Sequence, residues 1–165
     1  VCNALDTLLV HRSIAPKFLP LLARSLAEKG VEIRACPRSY RLLKNYPFLK
    51  KAKHSDWDTE HLDLILGVKI VNDLDDALAH IAQHSLKHSE AIITENSRHA
   101  KRFLKEVDAA CVYVNASTRF TDGGVFGMGA EIGVSTQKLH VRGPFALAGL
   151  TSSKWLLVGK GQIRA

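Results

Sequence analysis

Residues 62–71 read LDLILGVKIV, a long apolar run rich in Leu, Ile and Val and the strongest strand signal in the chain. Asp73 follows as a helix cap. Leu74, Ala77, Leu78 and Ile81 then recur on one face of a helix running to about Gln83. Beyond it, residues 91–94 (AIIT) read as a strand, 97–107 as a helix and 111–115 (CVYVN) as another strand. Upstream, residues 7–10 form a short buried strand and 16–29 a helix, with Pro16 in its first turn and Gly30 at its stop. Pro20 removes one internal hydrogen bond from that helix. Residues 31–33 read as a strand, 37–43 as a helical turn, and 44–59 as a polar, basic loop. Strands alternating with helices in this way specify an α/β fold, with a mostly parallel sheet flanked by helices and joined by right-handed crossovers.

The texture changes after Ala116. Five glycines fall between Gly123 and Gly133, in a stretch too irregular for a strand and too apolar for a linker. Ordered loops of this length usually carry function. A last apolar run at 153–158 (SKWLLV), set off by Gly143-Pro144, reads as a strand that pairs outside the main sheet.

Length and composition fit one well-cored globular domain of 165 residues, 46% hydrophobic and 24% charged. Three widely spaced cysteines make no disulfide framework and suit a reducing, cytoplasmic setting. No apolar run reaches the roughly 18 residues that a membrane span requires, and the start of the chain does not resemble an export signal. The formal net charge is +7. The cations are scattered and lack interleaved aromatics, which favours a small anionic ligand over nucleic acid.

Several residues bear chemistry. His80, His84 and His88 have i, i+4, i+8 spacing, open to a metal site or to structural histidines. Gly124, Gly127 and Gly129 match neither a P-loop nor the dinucleotide order, and imply only tight backbone turns. Cys2 is open to two readings, an inert buried thiol or a nucleophile.

VCNALDTLLVH, WDTEHLDLILGVKIV, ALAHIAQHSLKHSEAIIT, VYVNASTRFTDGGVFGMGAEIGVSTQKLHVRGP and the ending GKGQIR together resemble the gamma-glutamyl phosphate reductase family, a proline-biosynthesis branch of the aldehyde dehydrogenase superfamily. The resemblance covers nearly the whole chain and departs at Leu86, where the family usually carries Ser or Thr. It implies an aldehyde-dehydrogenase-like catalytic domain over residues 1–140 and a C-terminal strand arm over 141–165. The nucleotide-binding half of the family lies outside this chain.

The resemblance also implies roles. Cys2 is the thiolate that attacks L-glutamyl 5-phosphate, and Glu60 binds the nicotinamide ribose of NADPH, a cofactor held mainly by the other half. Asn115, Ser117, Thr118, Arg119, Gly129 and Ala130, with Gly127, line the substrate loop. Arg119 is either a fork for a carboxylate or phosphate or a structural salt bridge. No metal, nucleic acid or membrane is expected. A homo-oligomer and a partnership with glutamate 5-kinase are. The competing class is a non-enzymatic basic α/β module that binds nucleic acid or serves as an assembly unit.

Overall fold

A computed structural model describes residues 1–164. Four strands come from the first part of the chain: β1 (Thr7–His11), β2 (Glu32–Ala35), β3 (Leu49–Lys51) and β4 (Ile65–Val71). They form one parallel sheet in the order β1-β4-β2-β3. β4 is interior and pairs with β1 through Thr7↔Gly67 and with β2 through Ile33↔Leu66. That position explains its composition, because a strand covered on both faces reads as a nearly continuous apolar run. Leu66, Val68, Ile70 and Val71 are all buried. Gly67 interrupts the run because the Trp57 ring lies over it, 3.1 Å from where a Cβ would sit.

Helices α1 (Ala15–Ala27) and α2 (Pro37–Leu42) each carry a proline in the first turn and connect successive strands of this sheet. Leu19 and Ala15 of α1 are buried, with Leu22, Ala23 and Leu26 packed beside them on the core that holds Val10, Ile33, Ala35, Leu43, Tyr46 and Val68. Burying each large aliphatic side chain contributes about 2 kcal/mol. Helix α1 tolerates Pro20, and Gly30 ends the connection at φ +65°. Helix α3 (Leu74–His84) starts where Asp73 accepts from the Asp76 N–H at 2.9 Å.

The remaining elements lie outside the four-stranded sheet. β5 (Ser89–Ile92) and β6 (Cys111–Val114) pair in parallel as a second sheet, with α4 (Ser97–Glu106) between them in sequence. β7 (Gly133–Ser135) and β8 (Gly143–Phe145) form an antiparallel pair, followed by the short α5 (Leu147–Leu150). The expected boundary between residues 140 and 141 falls inside the β7–β8 unit.

Three expectations are corrected. Residues 44–59 are not all loop: they contain β3 and a 3-10 turn at His54–Asp58. β3 is an edge strand, and its lysines and the Arg34–Asp56 and Lys50–Glu32 ion pairs give it the composition of a loop. The strand expected from residue 62 begins only at Ile65, because Leu62 adopts φ +53° and Asp63 binds the Leu64 N–H through its own carboxylate at 2.7 Å. The expected C-terminal strand at 153–158 is absent. Trp155 is 89% exposed and Val158 97%, and no neighbouring strand supplies a ladder.

Candidate active site

Cys2 is exposed, on a turn closed by the Ala4 N–H on the Val1 carbonyl at 3.1 Å. The next residue, Asn3, is buried. Its Nδ2 donates to the Thr121 carbonyl at 2.8 Å and to the Arg119 carbonyl at 3.4 Å. Its Oδ1 accepts from the Arg119 guanidinium. Its backbone carbonyl accepts from Thr118 Oγ1 at 2.9 Å. The segment bearing the thiol is therefore stitched to the 3-10 turn Thr118–Phe120, which lies far away in sequence. Ser117 caps that turn by accepting from the Arg119 N–H at 3.2 Å.

The turn is anchored in its own right. Thr121, 1% exposed, shares its hydroxyl with Ser89 of β5 at 2.6 Å and Tyr113 of β6 at 2.8 Å. Ser89 in turn contacts His88 Nδ1 at 2.8 Å. Burial pushes the His88 imidazole below its usual pKa, and the nearby carboxylates of Glu131 and Glu60 oppose that shift. The Glu60 carboxylate forms no ion pair among the described residues.

The same holds for Arg119, which is exposed and has no carboxylate partner among the described residues. The structural salt-bridge alternative for Arg119 finds no support, and most of its donors stay available to an anion.

The Gly-rich loop folds back on itself. Asp122 accepts from the Val125 N–H through its side chain at 3.0 Å, and Glu131 accepts from the Gly123 N–H at 2.9 Å. The close approach is at Gly123, where a Cβ would fall on the Ala130 carbonyl and within 2.8 Å of the Glu131 Cβ. Gly129 instead serves its φ of +75°, with open space around it, and Gly127 is similar at +76°. Ala130 itself is exposed. Asn115 stands apart from the Cys2–Arg119 assembly. Its side chain is engaged in both directions with the Thr94 backbone, at 2.8 and 2.9 Å, and closes the ends of β5 and β6.

The three spaced histidines diverge. His80 takes a hydrogen bond from Lys69 Nζ at 2.9 Å, His84 pairs with Asp58 at 2.6 Å, and His88 faces Ser89. No cluster of three or more His, Cys, Asp or Glu suited to a metal ion occurs among the described residues. No helix of the described residues is long and apolar enough to cross a membrane.

Asn3, Thr121 and Gly123 were not singled out by sequence reasoning. Adjacency to Cys2 was the one signal for Asn3. Burial of a threonine and the approach of Ala130 to a glycine are tertiary facts.

No protein-family model matches the chain. Gamma-glutamyl phosphate reductase of Clostridium tetani is 57% identical over 171 residues, which cover 99% of this chain and 40% of that protein. The Kosmotoga olearia reductase is 58% identical over 163 residues, 99% of this chain and 38% of the relative. The crystal structure of the Thermotoga maritima gamma-glutamyl phosphate reductase superposes with a TM-score of 0.90 at 50% identity, covering 100% of this chain and 39% of that one.

The chain belongs to the gamma-glutamyl phosphate reductase family. It spans about 40% of the length of the curated relatives it matches. The Saccharomyces cerevisiae gamma-glutamyl phosphate reductase matches more distantly, at 34% identity and a TM-score of 0.53 over 76% of this chain and 32% of that chain.

Proposed function

We propose that this chain supplies the nucleophile and the substrate-holding loop of an enzyme that reduces L-glutamyl 5-phosphate to L-glutamate 5-semialdehyde in proline biosynthesis. One observation carries the reading: the exposed Cys2 is tied through Asn3 to Arg119, a guanidinium with no carboxylate partner among the described residues. Together they offer a thiol for an acyl carbon and a cation for an anionic group of the same small molecule.

In this reading Cys2 reacts as its thiolate. A C–S bond forms at the acyl carbonyl, the C–O bond to phosphate breaks, and phosphate leaves with the electron pair. The product is a thioester on Cys2, electrophilic enough for two-electron reduction. No carboxylate is needed to activate water, because water takes no part in resolving the thioester. Arg119, Ser117 and Thr118 hold the anionic part of the substrate. Gly127, Gly129 and Ala130 offer backbone contacts at the outer loop.

Glu60 fits the ribose of a nicotinamide, because an exposed carboxylate free of ion pairs can accept from two hydroxyls. Glu60 would hold the ribose of NADPH, bound mainly outside this chain, and the cofactor would supply the hydride. The acyl phosphate is labile in water, which favours handover from the enzyme that makes it, glutamate 5-kinase. The exposed apolar stretch around Trp155 supports a homo-oligomer. The free cysteines support a reducing, cytoplasmic setting.

The test is Cys2→Ala in the full-length protein that carries this segment. Reductase turnover is expected to fall at least ~1,000-fold, since removing a covalent nucleophile removes the reaction route. Turnover near the parent's would overturn the reading.

A further inference from the structure

We infer that Asn3 is a positioning residue, which fixes the separation between the Cys2 thiol and the Arg119 guanidinium so that one substrate is gripped at both ends. The inference rests on the proposed role of Cys2 as nucleophile.

Asn3 has one peptide bond between itself and Cys2, so the two Cα atoms are ~3.8 Å apart and a shift in one moves the other. Its side chain uses all its main bonding capacity on a single turn. Nδ2 has two hydrogens, and they meet the Thr121 and Arg119 carbonyls. Oδ1 meets the Arg119 guanidinium. The Asn3 main chain adds a fourth link through Thr118 Oγ1. At 8% exposure, water has little room to replace these bonds. Arg119 is thus held at both its backbone carbonyl and its side chain by the residue next to the nucleophile.

Only a short primary amide satisfies this set. Aspartate keeps the acceptor for Arg119 but loses both donors, and glutamine adds a methylene that displaces them. The anchor beneath the turn is rigid, because Thr121 is fixed by Ser89 and Tyr113 on two paired strands. Position therefore passes from the β5–β6 pair through Thr121 to Asn3, and from Asn3 outward to both Cys2 and Arg119. Misplacing a reacting group by about 1 Å costs on the order of 100-fold in rate, and that is the effect expected here.

The experiment uses the full-length protein with Asn3→Ala, Arg119→Ala and the double variant. Steady-state constants are expressed per Cys2 thiol titrated by iodoacetamide, on the monodisperse fraction with parent-like circular dichroism, so that misfolded molecules do not count. Asn3→Ala is expected to lower kcat per titrated thiol about 100-fold, with iodoacetamide still reaching Cys2 at a rate within about twofold of the parent, since the thiol is already exposed. Because both residues act through one link, the double variant is expected to be no worse than the poorer single.

Parent-like kcat per titrated thiol in Asn3→Ala would show a residue that only maintains the fold, and would overturn the inference. So would defects that multiply in the double variant. If Asn3→Ala does not fold, the near-isosteric Asn3→Asp carries the same comparison, with a smaller loss expected because Arg119 keeps its acceptor. An inactive Cys2→Ala beside an active Asn3→Ala would remove the positioning role alone. An active Cys2→Ala would remove the nucleophile reading itself.

Discussion

The part of the chain up to residue 84 and the part after it are held together by different forces. The first builds a four-stranded sheet whose core residues interlock: Leu19, Ile33 and Val68 are wholly removed from water. The second has short strands in two small sheets, and many of its large apolar side chains face outward, among them Phe120, Phe126, Ile132 and Leu147. Its order comes from polar point contacts: Thr121 with Ser89 and Tyr113, Asn115 with Thr94, Glu131 with the Gly123 backbone, and Asp108 with Lys138 and Arg142. Apolar packing is non-directional and sums over area. Hydrogen bonds are directional and each fixes a position. The candidate active site is built with the second kind of force and rests against a scaffold made by the first.

Four measurements can break or sharpen that contrast. Ile33→Ala removes a fully buried side chain from the middle of the sheet. It should cost about 4 kcal/mol in a urea titration, and a loss under ~1 kcal/mol would show that the sheet is not the scaffold.

The next largest effect is on pH. Burial, then the Lys69 charge, push the His80 imidazole down to about 4. Lys69 donates to Nδ1, which leaves the proton of the neutral ring on Nε2. The folded protein therefore refuses a proton that the unfolded chain accepts below its ordinary value of about 6.5. The stability His80 contributes is complete above that value and drains away as pH falls toward 4, by about 3 kcal/mol. His80→Phe should flatten this part of the pH profile, and an unchanged slope would place the acid sensitivity elsewhere.

Thr121→Val keeps the shape but deletes the hydroxyl shared by Ser89 and Tyr113. About 2 kcal/mol should be lost, with resistance to proteolysis falling first in residues 115–135. A uniform loss across the chain would blur the contrast drawn here. Trp155→Ser should change thermal stability by less than ~0.5 kcal/mol, because the ring is 89% exposed and packs on little. A large loss in the full-length protein would reveal a partner surface for this stretch.

Much of the first region was legible because its elements announce themselves locally. Pro16 and Pro37 start helices, Asp73 caps one, and the run ending at Val71 has the composition of an interior strand. Edge strand β3 was missed because it needs only one pairing side and its lysines look like loop. The strand expected at 153–158 failed for the opposite reason: its composition suits a ladder, but none of the described residues offers one. For the site, resemblance pointed to Cys2 and Arg119, and local composition could not have joined them. Their link runs through Asn3 and Thr121, which are polar residues in buried places. Hydropathy assigns such residues to the surface, so the bonds that fix the site are the part least visible in one dimension. Asn115 shows the converse, a residue expected at the substrate whose amide is taken up by the Thr94 backbone.

The strand order β1-β4-β2-β3 has a kinetic consequence. β1 has β4 as its one partner in the sheet, and Thr7 can find its mate only when Gly67 has been made. β2 can meet β3 much earlier, through Ile33↔Leu49. On a ribosome the β2–β3 pair can assemble while the strand next to Cys2 still waits unpaired. β4 must then insert between two strands, and long-range pairings of this kind slow folding. The segment that carries Cys2 thus leads into the last-closed edge of the sheet, where a holding chaperone or a delayed chain would have the greatest effect on yield.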